Sequence, residues 1–230
     1  MGIFRKIRAF TLAEILITLG IIGIVAAITI PMLITNYQKR LTLTRLQKHY
    51  AQLNQVIKLI DEEHGLAVLS GSATNSVQKY ILPHYKGATY YAPNNYKKSM
   101  CFNPNHYYLS AKQNDAQYNT LLYTNRKGVC GGYISTPFGN MPSIELPDGA
   151  CIGFNQLLGS GYYPESTIFI DVNGSANPPN CLGKDMFWFK IDPNTVSVQP
   201  TEREGVYSFE KYGAYKIIKD GWKFAKDYPW

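Results

Sequence analysis

The chain has 230 residues, 45% of them apolar, enough for one soluble domain of ordinary size beside a single membrane helix. Of its 23 basic residues, three (Arg5, Lys6 and Arg8) fall in the first nine positions, and the 20 that remain face 16 acidic ones, so a formal net charge of +7 shrinks to +4. That excess is too sparse to argue for nucleic acid or an anionic surface as a partner.

Met1 to Ala9 (MGIFRKIRA) is basic and carries no acidic residue, as a targeting leader does. Phe10 to Ile30 (FTLAEILITLGIIGIVAAITI) follows as 21 residues with a single charge, Glu14. At ~1.5 Å rise per residue, such a helix spans about the ~30 Å of a bilayer's hydrocarbon core. A carboxylate inside it is costly, so Glu14 calls for a partner or a task. The two segments have three readings: a secretory signal cut after the small residues Val25-Ala26-Ala27, an uncleaved anchor, or a leader cut before the apolar helix.

At the third reading a family enters. The string Arg8-Ala9-Phe10-Thr11-Leu12-Ala13-Glu14, continued by the apolar run and Pro31, resembles the N-terminal signature of type IV pilins and type II secretion pseudopilins. The resemblance implies that a prepilin peptidase cuts between Ala9 and Phe10 on the cytoplasmic side and methylates the new Phe10 amine. Gly is usual before the cut; Ala9 is the next smallest side chain and is expected to be accepted. Ala13, where a larger apolar residue is common, bears on packing. The resemblance further implies a single-pass protein of the inner (cytoplasmic) membrane with its head outside the cytoplasm, later drawn into a pilus or pseudopilus at the cell surface. Its implied partners are copies of itself and other pilins in a filament, the prepilin peptidase, an inner-membrane assembly platform with its ATPase, and membrane lipid.

The residues give Glu14 a physical sense without the family. Leader removal creates a positive charge at Phe10, one helical turn from Glu14 on the same face. The carboxylate can meet that amine within its own subunit, or meet a neighbour's and set axial register in a filament; the resemblance implies the second. A carboxylate that merely snorkels at the membrane edge is the third possibility. Pro31, just past the run, is expected to kink a continuing helix and, with Glu14, to belong to the assembly element. Continuation is predicted because Leu43, Leu46, Tyr50, Leu53, Ile57 and Ile60 recur at helical spacing, with Arg45, Lys48, Gln52, Lys58 and Glu62 on other faces. Gly65 after His64 reads as the stop, giving a helix from Phe10 to His64 about 80 Å long at ~1.5 Å per residue. The expected divisions are 1–9 leader, 10–31 transmembrane and assembly helix, 32–64 amphipathic continuation and 65–230 head.

Gly65 to Asn140 is rich in Asn, Tyr, Ser and Gly and reads as mostly irregular, with a short helix near Ser76 to Leu82. Ser143 to Leu146, a turn at Asp148-Gly149 and Ala150 to Phe154 read as a hairpin; Thr167 to Val172 and Met186 to Ile191 add two strands. Tyr212 to Lys219 closes the chain as a short helix or strand. The expectation is an α+β, pilin-like fold, an antiparallel sheet of four or so strands packed on the amphipathic half of the helix.

The even set Cys101, Cys130, Cys151 and Cys181 contains no CxxC pair and, in an exported domain, predicts two disulfides. Nearness in sequence favours Cys101 with Cys130 and Cys151 with Cys181; four reduced buried thiols are the alternative. Asp171-Val172-Asn173-Gly174-Ser175, running on to Asp185, has the look of a calcium loop, yet it lacks an internal Glu and contains two prolines, so a plain turn is expected and neither metal nor cofactor is assigned. His49, His64, His84 and His106 lie singly, and no HExxH, GxSxG or phosphate-cradling motif occurs, so no enzyme is expected. The 18 tyrosines admit a minor pilin for DNA uptake or adhesion as an alternative, or an anchored binding domain, although tyrosines in such heads serve core and interface more often than bases.

Overall fold

The structure, a computed structural model, describes residues 11–93, 101, 124–126, 129–131, 141–158, 167–174, 176–177, 183–200, 213–226 and 228. Two compact units divide the chain, Met1–Leu41 and Thr42–Trp230. The leader and Phe10 lie outside the described residues.

One helix, α1 (Leu12–His64), runs without interruption through Pro31. It ends where expected: Gly65 adopts a φ of 77°, a left-handed conformation that costs glycine little, and its N–H still bonds to the carbonyl of Asp61. Short helical turns follow at Leu66–Leu69, at α2 (Ala73–Ser76), in a π-type turn at Val77–Ile81 and at Leu82–His84. These hold the helix foreseen near residues 76–82, broken into shorter pieces. The strands are β1 (Thr89–Tyr91), β2 (Thr124–Arg126), β3 (Val129–Gly131), β4 (Ser143–Glu145), β5 (Cys151–Gln156), β6 (Thr167–Asp171), β7 (Met186–Asp192) and β8 (Ser197–Pro200), and α3 (Ala214–Lys219) follows.

Six strands form one antiparallel sheet in the order β1-β4-β5-β6-β7-β8, and β2 pairs with β3 separately. Four of the six were expected. The additional β1 and β8 are short edge strands whose three and four residues give little alternation to read.

Cross-strand register lines up one apolar face. Ile144, Ile152, Ile170 and Phe187 form one row across β4 to β7, and Phe154, Ile168 and Phe189 form the next. Against this face packs the part of α1 that belongs to the second unit, through the buried Leu46, Leu53, Val56, Ile57 and Ile60. Each such side chain stabilises the fold by about 1.5–3 kcal/mol on burial. The buried stripe keeps Leu46, Leu53, Ile57 and Ile60 of the expected line, adds His49 and Val56 on a parallel one, and leaves Leu43 and Tyr50 at the margin. Both lines have the same 3-4 spacing, and a sheet, being broad, covers a wider arc of helix than a single line of residues.

The other face of β6 and β7 carries Phe169 and Trp188, stacked with ring centroids 5.0 Å apart. Helix α3 adds Ala214 and Ile217 to the core. Its end is fastened by bonds from Gly221 N–H to the Ile218 carbonyl and from Trp222 N–H to the Ile217 carbonyl. Buried Tyr228 donates its hydroxyl to the Gly183 carbonyl and accepts from Gly213 N–H, tying the C-terminal segment to the start of α3 and the approach to β7.

Candidate functional site

The start of α1 is built from Thr11 and Glu14. Thr11 N–H donates to Glu14 Oε2 at 2.8 Å, the Thr11 hydroxyl donates to the same oxygen at 2.9 Å, and Glu14 N–H donates back to Thr11 Oγ1 at 3.2 Å. This is a reciprocal capping box, the Thr-x-x-Glu pattern that satisfies helix donors lacking an intrahelical partner. The pattern is local in the sequence, Thr11-Leu12-Ala13-Glu14, and pairing Glu14 with the Phe10 amine alone leaves Thr11 out.

Beyond Glu14 no charged residue occurs until Lys39. The large apolar side chains from Leu12 to Leu41 are exposed all round the helix, and an 18-residue window with mean hydropathy 2.5 makes this stretch long and apolar enough to cross a membrane. Its threonine hydroxyls are satisfied internally, since Thr18, Thr29 and Thr35 donate to the carbonyls of Ile15, Val25 and Pro31. Threonine is tolerable in an apolar medium on that condition. The acceptor for Thr35 is the carbonyl of Pro31 itself.

Ala9 and Phe10, expected to flank the cut, lie outside the described residues. The disulfide pairing needs correction: Cys101 bonds to Cys151, with Cα atoms 5.5 Å apart and a sequence separation of 50, not to Cys130 as sequence nearness suggested. Strand pairing brings Cys151 opposite Glu145, and the Cys101 sulfur lies 3.5 Å from the carbonyl of Ile144, so the sheet and not the intervening chain sets the distance. This also removes Cys151 from any bond to Cys181. Cys130 lies on β3, and Cys181 is outside the described residues.

In the Asp171 loop, Asp171 Oδ1 accepts the N–H groups of Asn173 at 3.2 Å and Gly174 at 2.8 Å, the geometry of an Asx turn. The backbone closes below it through Val172 N–H to the Asp185 carbonyl. Among the described residues no group of three or more His, Cys, Asp or Glu is placed to hold a metal ion. Gly174 has a φ of 77°, and a Cβ built on it would sit 2.2 Å from the carbonyl oxygen of Gly149, so the loop rests directly on the β4–β5 turn.

That turn also carries Asp148, which bonds to Lys48 Nζ at 2.5 Å and lies 3.4 Å from Nε2 of His49 on α1. His49 is fully buried, and neither ring nitrogen makes a hydrogen bond. Burial pushes its ionisation below the ordinary imidazole range; Lys48 and Arg45 reinforce this and the Asp148 charge opposes it. For Asp148 partial burial works against ionisation, but the Lys48 hydrogen bond, the His49 charge and the Ala150 N–H together hold its carboxyl below the usual value. With His49 neutral, Lys48 is the lasting counter-charge.

At the free edge of the sheet, Val198 N–H donates to Asn54 Oδ1 at 2.8 Å and the Val198 carbonyl accepts from the Tyr50 hydroxyl at 3.0 Å. Among the described residues no strand pairs with the outer side of β8, and two side chains of α1 stand in its place. Sequence reasoning had no means of pairing Asn54 with Val198, 144 residues apart.

Residues 4–30 match the family described as the prokaryotic N-terminal methylation motif. The match supports a prepilin signal of the type IV pilin and pseudopilin type, continuous with the exposed apolar stretch of α1 and enclosing the Thr11–Glu14 cap. Comparison with curated proteins and with solved structures gives no match. The chain therefore carries a prepilin-type N-terminus followed by a long apolar helix, and an α+β head consistent with a pilin-like fold.

Proposed function

We propose that this chain is a structural subunit of a type IV pilus or a type II secretion pseudopilus. It enters the inner membrane through residues 10–31 with its head outside the cytoplasm, is cut between Ala9 and Phe10 by a prepilin peptidase, is methylated on the Phe10 amine, and polymerises through α1 with copies of itself or other pilins. An assembly platform and its ATPase would drive that step. The observation that carries this reading is the methylation motif at 4–30 joined to a helix whose apolar side chains stay exposed throughout its first unit. In water or alone in lipid such a surface has no specific partner; packed against identical helices it has one on every side. Glu14 then serves as the acceptor for the Phe10 amine of the neighbouring subunit, and Pro31 marks the end of the fully apolar stretch. The apolar face of the sheet is already filled by α1, which leaves the exposed first part of that helix as the assembly element.

Intact mass of the membrane-extracted protein tests the processing step. A mature chain starting at Phe10, one methyl group heavier than the bare sequence, is expected; a start at Ile28 means ordinary signal peptidase cleavage and refutes the reading, and a start at Met1 means an uncleaved anchor. For assembly, Glu14→Ala should leave membrane insertion and leader removal intact and abolish filaments sheared from cells. Normal filaments from this variant would show the charge to be incidental.

A further inference from the structure

From the convergence of both Thr11 donors on one carboxylate oxygen, we infer that Thr11 is a positioning residue for Glu14, clamping one oxygen to its own helix and presenting the other to the neighbouring subunit. The inference deepens the assembly reading above and rests on it. Backbone N–H and hydroxyl of Thr11 both reach Oε2, at 2.8 and 2.9 Å, while no bond to Oε1 is seen among the described residues. The same hydroxyl accepts Glu14 N–H, so it is used in both senses and its rotation is fixed. A glutamate without this clamp has three rotatable bonds and spreads its carboxylate over many positions; the incoming ammonium would have to order it on arrival, at a cost in entropy. With the clamp, the carboxylate plane is set before the encounter. Because Oε2 already has two donors, the remaining acceptor strength points along Oε1, the oxygen a third donor would take. An ammonium group brings three N–H donors and needs only one of them for this contact.

The roles differ in kind. Glu14 supplies the charge, and Thr11 acts through Glu14. Loss of the Thr11 hydroxyl removes two of the three bonds and leaves the backbone donor in place, so the charge remains and only its aim is lost.

The experiment compares wild type, Thr11→Val, Thr11→Ser, Glu14→Ala and the double variant Thr11→Val with Glu14→Ala, each as the full-length chain in cells. Because Thr11 lies two residues beyond the cut, sheared filament is expressed per processed chain, with the mass beginning at Phe10 as the measure of processing. Thr11→Val is expected to lower filament yield on the order of tenfold, the worth of one hydrogen bond to a charged group. Thr11→Ser should restore it, and the double variant should be no worse than Glu14→Ala. Four results overturn the inference: wild-type yield from Thr11→Val while Glu14→Ala fails; Thr11→Ser as poor as Thr11→Val; a double variant clearly worse than Glu14→Ala; or Thr11→Val left unprocessed, which would make Thr11 a processing residue. Normal filaments from Glu14→Ala would instead remove the assembly reading itself, and the positioning role with it.

Discussion

His49 is expected to make the head sensitive to acid. Its ring sits on the helix stripe between Leu46 and Leu53, fully buried, with both nitrogens unbonded and Asp148, Lys48 and Arg45 as the charges that face it. Burial holds the folded group below 6.5, the value of an unfolded histidine. Between those two values the unfolded chain binds more protons than the folded one, so stability is full above pH 6.5 and falls as pH drops below it. If the folded site takes up no proton, the loss reaches about 1.4 kcal/mol at pH 5.5 and about 2 kcal/mol at pH 5. For a head of this size that corresponds to a fall of roughly 3–8 °C in melting temperature. The assay is thermal unfolding of the detergent-solubilised chain, followed by the fluorescence of Trp188 and Trp222, from pH 7.5 to 5. His49→Leu replaces an unpaired polar ring by an apolar side chain of similar volume, so its stability at pH 7.5 should lie within about 1 kcal/mol of wild type. It should also flatten the slope between pH 6.5 and 5. The Asp148 contribution, lost only as pH falls below about 3.8, should persist in the variant. An undiminished slope in His49→Leu would refute the reasoning.

Three further outcomes are expected. Non-reducing peptide mapping should recover Cys101 linked to Cys151 and, if a second bridge forms, Cys130 linked to Cys181; a Cys101–Cys130 peptide would contradict the fold of β4 and β5. Asn54→Ala should cost about 1–3 kcal/mol by denaturant melting, because it strips the N–H of Val198 of its acceptor in a partly buried setting; a change within 0.5 kcal/mol, flagged as ordinary surface noise, would mean water replaces it. Gly174→Ala combines a φ of 77° with a Cβ 2.2 Å from a backbone oxygen and should destabilise by more than about 1 kcal/mol, measured the same way; a neutral result would mean the β4–β5 turn yields.

The long helix and its stop were legible because periodicity over many turns and a terminal glycine are local signals. So were β4 to β7, whose apolar residues alternate or run together for three to seven positions. The edge strands were not, although Asp192-Pro193-Asn194 followed by Val196-Ser197-Val198 does carry a turn and an alternation that could have flagged β8. The turn is real: Asp192 accepts Asn194 N–H through Oδ1 and the Thr195 hydroxyl through Oδ2. At the N-terminus the motif matched at residues 4–30 was readable, and the Thr11–Glu14 contact was readable as well, since it spans three positions. What sequence could not supply was the disulfide and the His49–Asp148 contact. Each joins residues 50 or more apart, and proximity of that kind is created by the sheet.

The capping of β8 by Tyr50 and Asn54 has a bearing on crowding. An open strand edge is a template on which any other strand can add, and its hydrogen bonds carry no sequence preference. Heads brought side by side at very high local concentration would be at risk of zipping together through such edges in wrong orientations. Here the donor and the acceptor of Val198 are occupied by the same helix that fills the sheet's apolar face, so docking of that helix and sealing of this edge happen in one event. A head that has folded has therefore already withdrawn this margin from competition, and the choice of neighbour passes to surfaces whose side chains can discriminate.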